Sequence, residues 1–236
     1  MDADGGETID ESEELTHVVD YDKVRASYDI VAERYANELA DEMVTRPFER
    51  GMLLSFSELV RSLGPGIVGD VGCGPGHIAK HLASLGVRTI GIDISAAMIE
   101  QAKLKFPEGD FHVASMFHLP IKSGSWIGAV ARYAMLNCDA DERARAFQEL
   151  YRVVRPGGYL TYSFYESAPG QPVGSVYHLQ SWFGYHVDLK TYFLSIEDAA
   201  SEIDVAGFDV IAALVREPMS PSQLPARRCT LVGKRR

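Results

Sequence analysis

The sequence predicts an α/β domain: a mostly parallel, seven-stranded sheet covered by helices on both faces. Three observations lead there. Short apolar runs alternate with helical stretches of roughly 10–15 residues, the spacing of crossovers between parallel strands. A glycine cluster, Gly72, Gly74 and Gly76, lies where the first such run passes into a helix. The chain has 236 residues, 46% apolar and 24% charged, enough to bury one core without metals or disulfides.

The elements follow in order. Residues 1–20 carry eight acids, no Lys or Arg and no apolar periodicity, and are expected to be a disordered arm before a single domain over 21–236. From Tyr21 to about Met43, Val24, Tyr28, Val31, Tyr35 and Leu39 form one helical stripe. Pro47 opens a second helix that Gly64-Pro65-Gly66 ends, so 21–63 is a helical N-terminal segment. Strands are predicted at 67–71, 87–92, 111–113, 126–133, 159–165, 208–215 and 229–233. Helices are predicted from His77, from Ser95 as N-cap, from Asp139 and from Ile196. Three prolines between the last two strands leave no room for a crossover helix, so the final strand should run antiparallel. Residues 166–195, rich in Gly, Pro and aromatics, break the alternation and read as an inserted loop or small cap before the last helix.

Charge and cysteines narrow the class. The net charge is −10, of which the first twenty residues hold −8, leaving −2 for the rest. A near-neutral body argues against nucleic acid as a partner. No apolar stretch approaches the roughly 20 residues that cross a bilayer, and no secretory leader is recognisable. Cys73, Cys138 and Cys229 have no metal-type spacing, so no metal is expected, and they read as reduced thiols of a cytoplasmic protein.

The chemistry gathers at Asp70-Val71-Gly72-Cys73-Gly74-Pro75-Gly76. Alternate glycines let backbone approach a ligand, and the carboxyl end of a central parallel strand is where such sheets bind. Asp93, at the end of the second strand, is placed to accept both hydroxyls of a ribose. The glycine spacing is not that of a pyrophosphate loop, and Asp70 would repel a pyrophosphate but accept from an ammonium. A cofactor with an adenosine end and a zwitterionic amino-acid end fits better than a dinucleotide.

These residues resemble the class I S-adenosylmethionine-dependent methyltransferases, in particular bacterial enzymes acting on small molecules, from about Tyr21 to the end. The resemblance implies a three-layer, Rossmann-like fold with an N-terminal helical lid. It implies that Asp70, Gly72, Cys73, Gly74 and Gly76 surround the methionine part of S-adenosylmethionine. Asp93 would hold the ribose, with Ile94 and Met98 near the adenine. Ser115 stands where the family commonly has an aspartate at the adenine amino group, beside Met116. Arg132 would offer its backbone to the methionine amino group, and Arg155-Pro156-Gly157-Gly158 resembles the family's turn before the fifth strand. Tyr28 and Tyr35, on one helix face, either pack as core or reach the cofactor carboxylate, with Arg46 a further candidate.

Catalytic groups are less determined. Similar enzymes often carry a histidine four residues after the position of Tyr133; here it is Asn137, which is no base near neutral pH. Tyr133, His178 and His186 are the candidates, the two histidines lying in an aromatic stretch that offers either a proton acceptor or a packed cap. The expected reaction is in-line methyl transfer to a small, partly aromatic acceptor, yielding S-adenosylhomocysteine, by a monomer or homodimer. The alternatives are a non-catalytic regulatory protein that keeps the cofactor pocket, and an NAD(P)-dependent oxidoreductase.

Overall fold

The computed structural model describes residues 11–40, 42–219 and 224–236, with residues 11–20 described in backbone only. Residues 1–10 of the expected arm lie outside the described residues. From Glu11 onward the described chain is helical: α1 runs Glu11–Glu38. α2 (Glu42–Thr45) and α3 (Pro47–Ser62) follow, α3 opening on Pro47 as its first residue.

The sheet then forms by repeated crossover. The pairs are β1 (Ile67–Val71) with α4 (His77–Ser84), β2 (Thr89–Asp93) with α5 (Ala96–Lys105), and β4 (Trp126–Arg132) with α6 (Ala140–Val153). The short β3 (Asp110–Val113) comes between α5 and β4. β5 (Val154–Ser167) leads to the insertion, after which α7 (Ile196–Val205), β8 (Phe208–Arg216) and β9 (Arg227–Arg235) complete the chain. The strand order is β3-β2-β1-β4-β5-β9-β8. β1 to β5 are parallel, and β9 inserts between β5 and β8, antiparallel to both. The turn expected at Arg155–Gly158 survives as a jump in register inside β5, from Val154 opposite Trp126 to Tyr159 opposite Gly128.

Local chemistry explains the helix starts. Ser95 caps α5 by accepting from the Met98 N–H at 3.1 Å. Asp139 and Glu142 form a reciprocal capping box at α6. Apolar faces then dictate the layers. Leu53, Phe56 and Val60 of α3 and Ile78 and Leu82 of α4 bury one face of the sheet. Phe147 and Leu150 of α6 and Ile203 of α7 bury the other, around Trp126 and Tyr162.

The insertion, expected as an inserted loop or small cap, contains two strands. It is an antiparallel hairpin, β6 (Val176–Trp182) and β7 (Tyr185–Tyr192), forming a two-stranded sheet of its own. Its Val187 and Leu189 pack against Val31 and Ala32 of α1. α1 and β7 therefore meet as one roof over the carboxyl ends of the sheet strands. No helix among the described residues is long and apolar enough to cross a membrane.

Candidate active site

A cavity of about 170 Å³ lies between this roof and the ends of β1, β2 and β4. Its floor includes Gly72 and Gly74 after β1, Asp93 and Ile94 at β2, and Arg132 and Tyr133 at β4. Tyr21, Tyr28 and Tyr35 of α1 and Lys190 and Tyr192 of β7 close it from above.

The glycines divide their duties. A Cβ on Gly72 would fall 2.5 Å from that of Ala134, and one on Gly76 would fall 2.6 Å from the Phe111 ring. Those two positions are glycine so that the loop can pack. A Cβ on Gly74 meets only Tyr35 Cε1, at 3.8 Å, and otherwise points into open space in the cavity. That vacancy is the cradle a ligand's own atoms would fill.

Asp93 anchors the loop. Its Oδ2 accepts from Gly74 N–H at 2.8 Å and its Oδ1 from Ser95 N–H at 2.9 Å. Burial raises its pKa, and these backbone donors oppose the rise. Each oxygen retains a lone pair for a ligand hydroxyl. Asp70 lies beneath the loop, 1% exposed, with Oδ2 unpartnered. Burial pushes its carboxyl up to about 7, with a hydrogen bond from the Ala79 backbone opposing.

Arg132 is held by Glu42, whose Oε2 accepts from Nη1 at 2.7 Å. Arg46 also approaches Glu42, at 3.4 Å, and His77 Nε2 lies 2.8 Å from Oε2, off the line of a hydrogen bond. Burial raises the Glu42 pKa, but Arg132 and His77 outweigh it and hold the carboxyl well below the usual range. Glu49 accepts from Arg216 on the far side of the same cluster.

Tyr133 has φ +54, a left-handed conformation costing a non-glycine residue roughly 1–2 kcal/mol. The strand ladder and an aromatic stack hold it there. Its N–H donates to Ser163 O at 3.0 Å, and its ring stacks on Tyr165 with centroids 4.9 Å apart. Burial, opposed by Arg132, pushes its phenol up to about 12. Burial likewise holds Tyr28 and Tyr35 far above neutrality, so none of the three is a base.

The structure gathers Tyr28, Tyr35, Gly72, Gly74, Asp93, Ile94, Met98, Met116, Arg132 and Tyr133 around the one cavity. It leaves others outside the lining. Arg46 lies behind Arg132 against Glu42. Cys73 packs with Ala79, Ile99 and Phe111, its thiol pushed up by burial. Ser115 accepts from Phe117 N–H at 3.2 Å and hydrogen-bonds Tyr21.

The two candidate histidines also stand outside the lining. Val187 and Leu189 face α1, so His186 and the alternate residues face away. Along that face Asp188, Lys190 and Tyr192 reach the cavity rim, while His186, near the hairpin turn, is exposed. His178 is half-exposed and bonds Asp188 through Nε2 at 2.5 Å.

Sequence reasoning missed Tyr21 and the role of Asn137. Tyr21, Tyr28 and Tyr35 recur every seven residues, a spacing that already placed the first beside the others. Asn137 carried no such signal, because its partners come from α1 and β7.

Comparisons with known proteins agree with this geometry. Residues 68–158 match the family model described as a methyltransferase domain. A malonyl-[acyl-carrier protein] O-methyltransferase of Yersinia pestis is 33% identical over 97 residues, 41% of this chain and 36% of that protein. The match thus spans little more than a third of that relative's length. Among solved structures, magnesium protoporphyrin IX methyltransferase from Synechocystis PCC 6803, with S-adenosylhomocysteine bound, superposes with TM-score 0.68 at 18% identity. That alignment covers 92% of this chain and 100% of the other. Burkholderia thailandensis 1,6-didemethyltoxoflavin-N1-methyltransferase gives 0.64 at 16% identity, covering 98% and 93%. Over residues 68–158 the chain therefore matches a methyltransferase domain, and its fold as a whole is shared with solved methyltransferases.

Proposed function

We propose that this protein transfers a methyl group from S-adenosylmethionine to a small-molecule acceptor by in-line displacement. The observation that carries the reading is the open space at Gly74 beside Asp93, under a roof of tyrosines. Asp93 would hold the ribose, and Ile94, Met98 and Met116 would meet the adenine. Gly72 and Gly74 would meet the charged amino-acid end, with the Asp70 carboxyl buried beneath the loop and its Oδ2 unpartnered. When bound, the cofactor supplies a methyl already activated by a positive sulfur. The chain's own task is to align the acceptor and exclude water, and the α1–β7 roof serves both.

The near-neutral body and enclosed cavity favour a small acceptor over nucleic acid. Three free, buried cysteines are in keeping with a reducing cytoplasm, and we propose a monomer or homodimer there.

Titration calorimetry with S-adenosylhomocysteine tests the cofactor site. Gly74→Val places a side chain in the cradle and should abolish measurable binding. Asp93→Ala removes the ribose acceptors and should weaken binding by about 1–3 kcal/mol. Unchanged affinity in both variants, each still folded, overturns the reading.

A further inference from the structure

This inference rests on the methyltransferase reading and narrows its acceptor. We propose that the acceptor is a planar molecule whose nucleophilic oxygen is already ionised on arrival, received by an N–H of Asn137 rather than deprotonated by the protein.

The direction of the hydrogen bonds carries the argument. Asn137 Nδ2 donates to the Lys190 carbonyl at 2.7 Å, which fixes the amide with its oxygen turned toward Tyr28. Tyr28 donates its one proton to that oxygen, at 2.8 Å. An amide nitrogen has two protons, so Asn137, which lines the cavity, keeps one N–H for a ligand. A donor at this place suits an oxyanion and does nothing to remove a proton from a hydroxyl or an ammonium.

The remaining groups around the cavity agree. Among the described residues, no histidine lines it. Its buried phenols stay un-ionised near neutral pH and cannot take a proton. Of the acids around the cavity, Asp93 is engaged by the Gly74 and Ser95 N–H groups, Asp188 is held low by His178 and Lys23, and Asp139 and Glu142 each give one oxygen to the α6 capping box. Arg132, at the floor, is matched by Glu42. Lys190 adds a cation at the rim. The flat face comes from Tyr133, turned by its left-handed backbone and braced by Tyr165.

The step balances without a proton. An oxygen lone pair forms the new O–C bond while the C–S bond breaks, its electron pair remaining on sulfur. A cation and an anion become two neutral products, a conversion that exclusion of water favours.

The test starts with calorimetry of S-adenosylhomocysteine, which judges the cofactor site separately. The loaded protein is then titrated with planar phenols and enols of graded acidity, with their methyl ethers, and with an aromatic amine. The acids should bind in their ionised form, at least tenfold tighter than the ethers. With S-adenosylmethionine, the inflection in kcat/KM between about pH 5 and 9 should move with each acceptor's own pKa. Asn137→Asp, which replaces the donor with a carboxylate, should lower kcat/KM roughly 10²-fold, a larger loss than its loss of affinity for S-adenosylhomocysteine. An inflection that stays fixed across acceptors, preference for the amine or the ethers, or no binding by any acid overturns the proposal.

Discussion

The Tyr28 hydroxyl donates to Asn137 Oδ1 at 2.8 Å, across 109 residues of sequence, and joins the roof helix to the loop after β4. Because Asn137 also donates to the Lys190 carbonyl, one amide ties α1, the sheet and the hairpin together over the cavity. If that tie gates the cavity, weakening it speeds the release of a bound ligand. Tyr28→Phe removes one hydrogen bond, about 1 kcal/mol. Stopped-flow measurement should show S-adenosylhomocysteine dissociating roughly fivefold faster, with α1 amides exchanging faster in the free protein. An unchanged dissociation rate would mean that the roof does not gate the site.

Asp70 sets a pH dependence of stability. Its folded pKa, pushed up to about 7 by burial, exceeds its ordinary value of 3.8. Between those values the folded protein holds a proton that the unfolded chain has released. Stability contributed by this group is therefore full below the lower value, falls as pH rises, and levels off above about 7. The slope is about 1.4 kcal/mol per pH unit. Urea denaturation from pH 4 to 8 should show this fall in the native protein, and Asp70→Asn should remove it.

Glu42 acts with the opposite sign. Its folded pKa is depressed by Arg132 and His77 despite burial, so its stabilisation is present above the ordinary carboxylate range and is lost as pH falls below it. The pair is deeply placed, with side-chain exposures of 6% for Glu42 and 7% for Arg132. Glu42→Ala leaves the guanidinium near only Glu49, at 3.9 Å, and should cost about 3–5 kcal/mol. Glu42→Gln, which can still accept from Arg132, should cost less. Equal midpoints for both variants in urea would show that the charge is immaterial.

The sheet was legible because its signals are local. Alternating apolar runs, Pro47 at a helix start and Ser95 and Asp139 as caps act within a few residues of themselves. Asp70 to Gly76 and Asp93 were legible for the same reason, being a turn and a strand end. The roof was not. Residues 166–195 read as either a loop or a small cap because a hairpin that packs one face on a helix needs only Val187 and Leu189 to be apolar. His178 and His186 have aromatic neighbours in sequence, but His178 lies on β6 bonded to Asp188 and His186 beside the hairpin turn, positions that only the fold sets. Asn137 looked like a missing histidine, and its role depended on Tyr28 and Lys190, which only the fold brings near.

Gly72 and Gly74 should separate folding from binding. Both have positive φ, +69 and +50, so alanine strains the backbone at either by roughly 1–2 kcal/mol. At Gly72 the new methyl also overlaps Ala134 Cβ at 2.5 Å, and the β1 loop must shift away from β4 to admit it. Gly72→Ala should therefore lose about 1–3 kcal/mol beyond the strain, seen as a lower melting temperature. At Gly74 the methyl has only Tyr35 within reach, at 3.8 Å, so stability falls by the strain alone. Its methyl instead occupies the space reserved beside Asp93, and S-adenosylhomocysteine affinity should drop at least tenfold. A Gly74→Ala variant that binds normally while Gly72→Ala melts normally would show that the loop moves freely and that its glycines serve neither purpose.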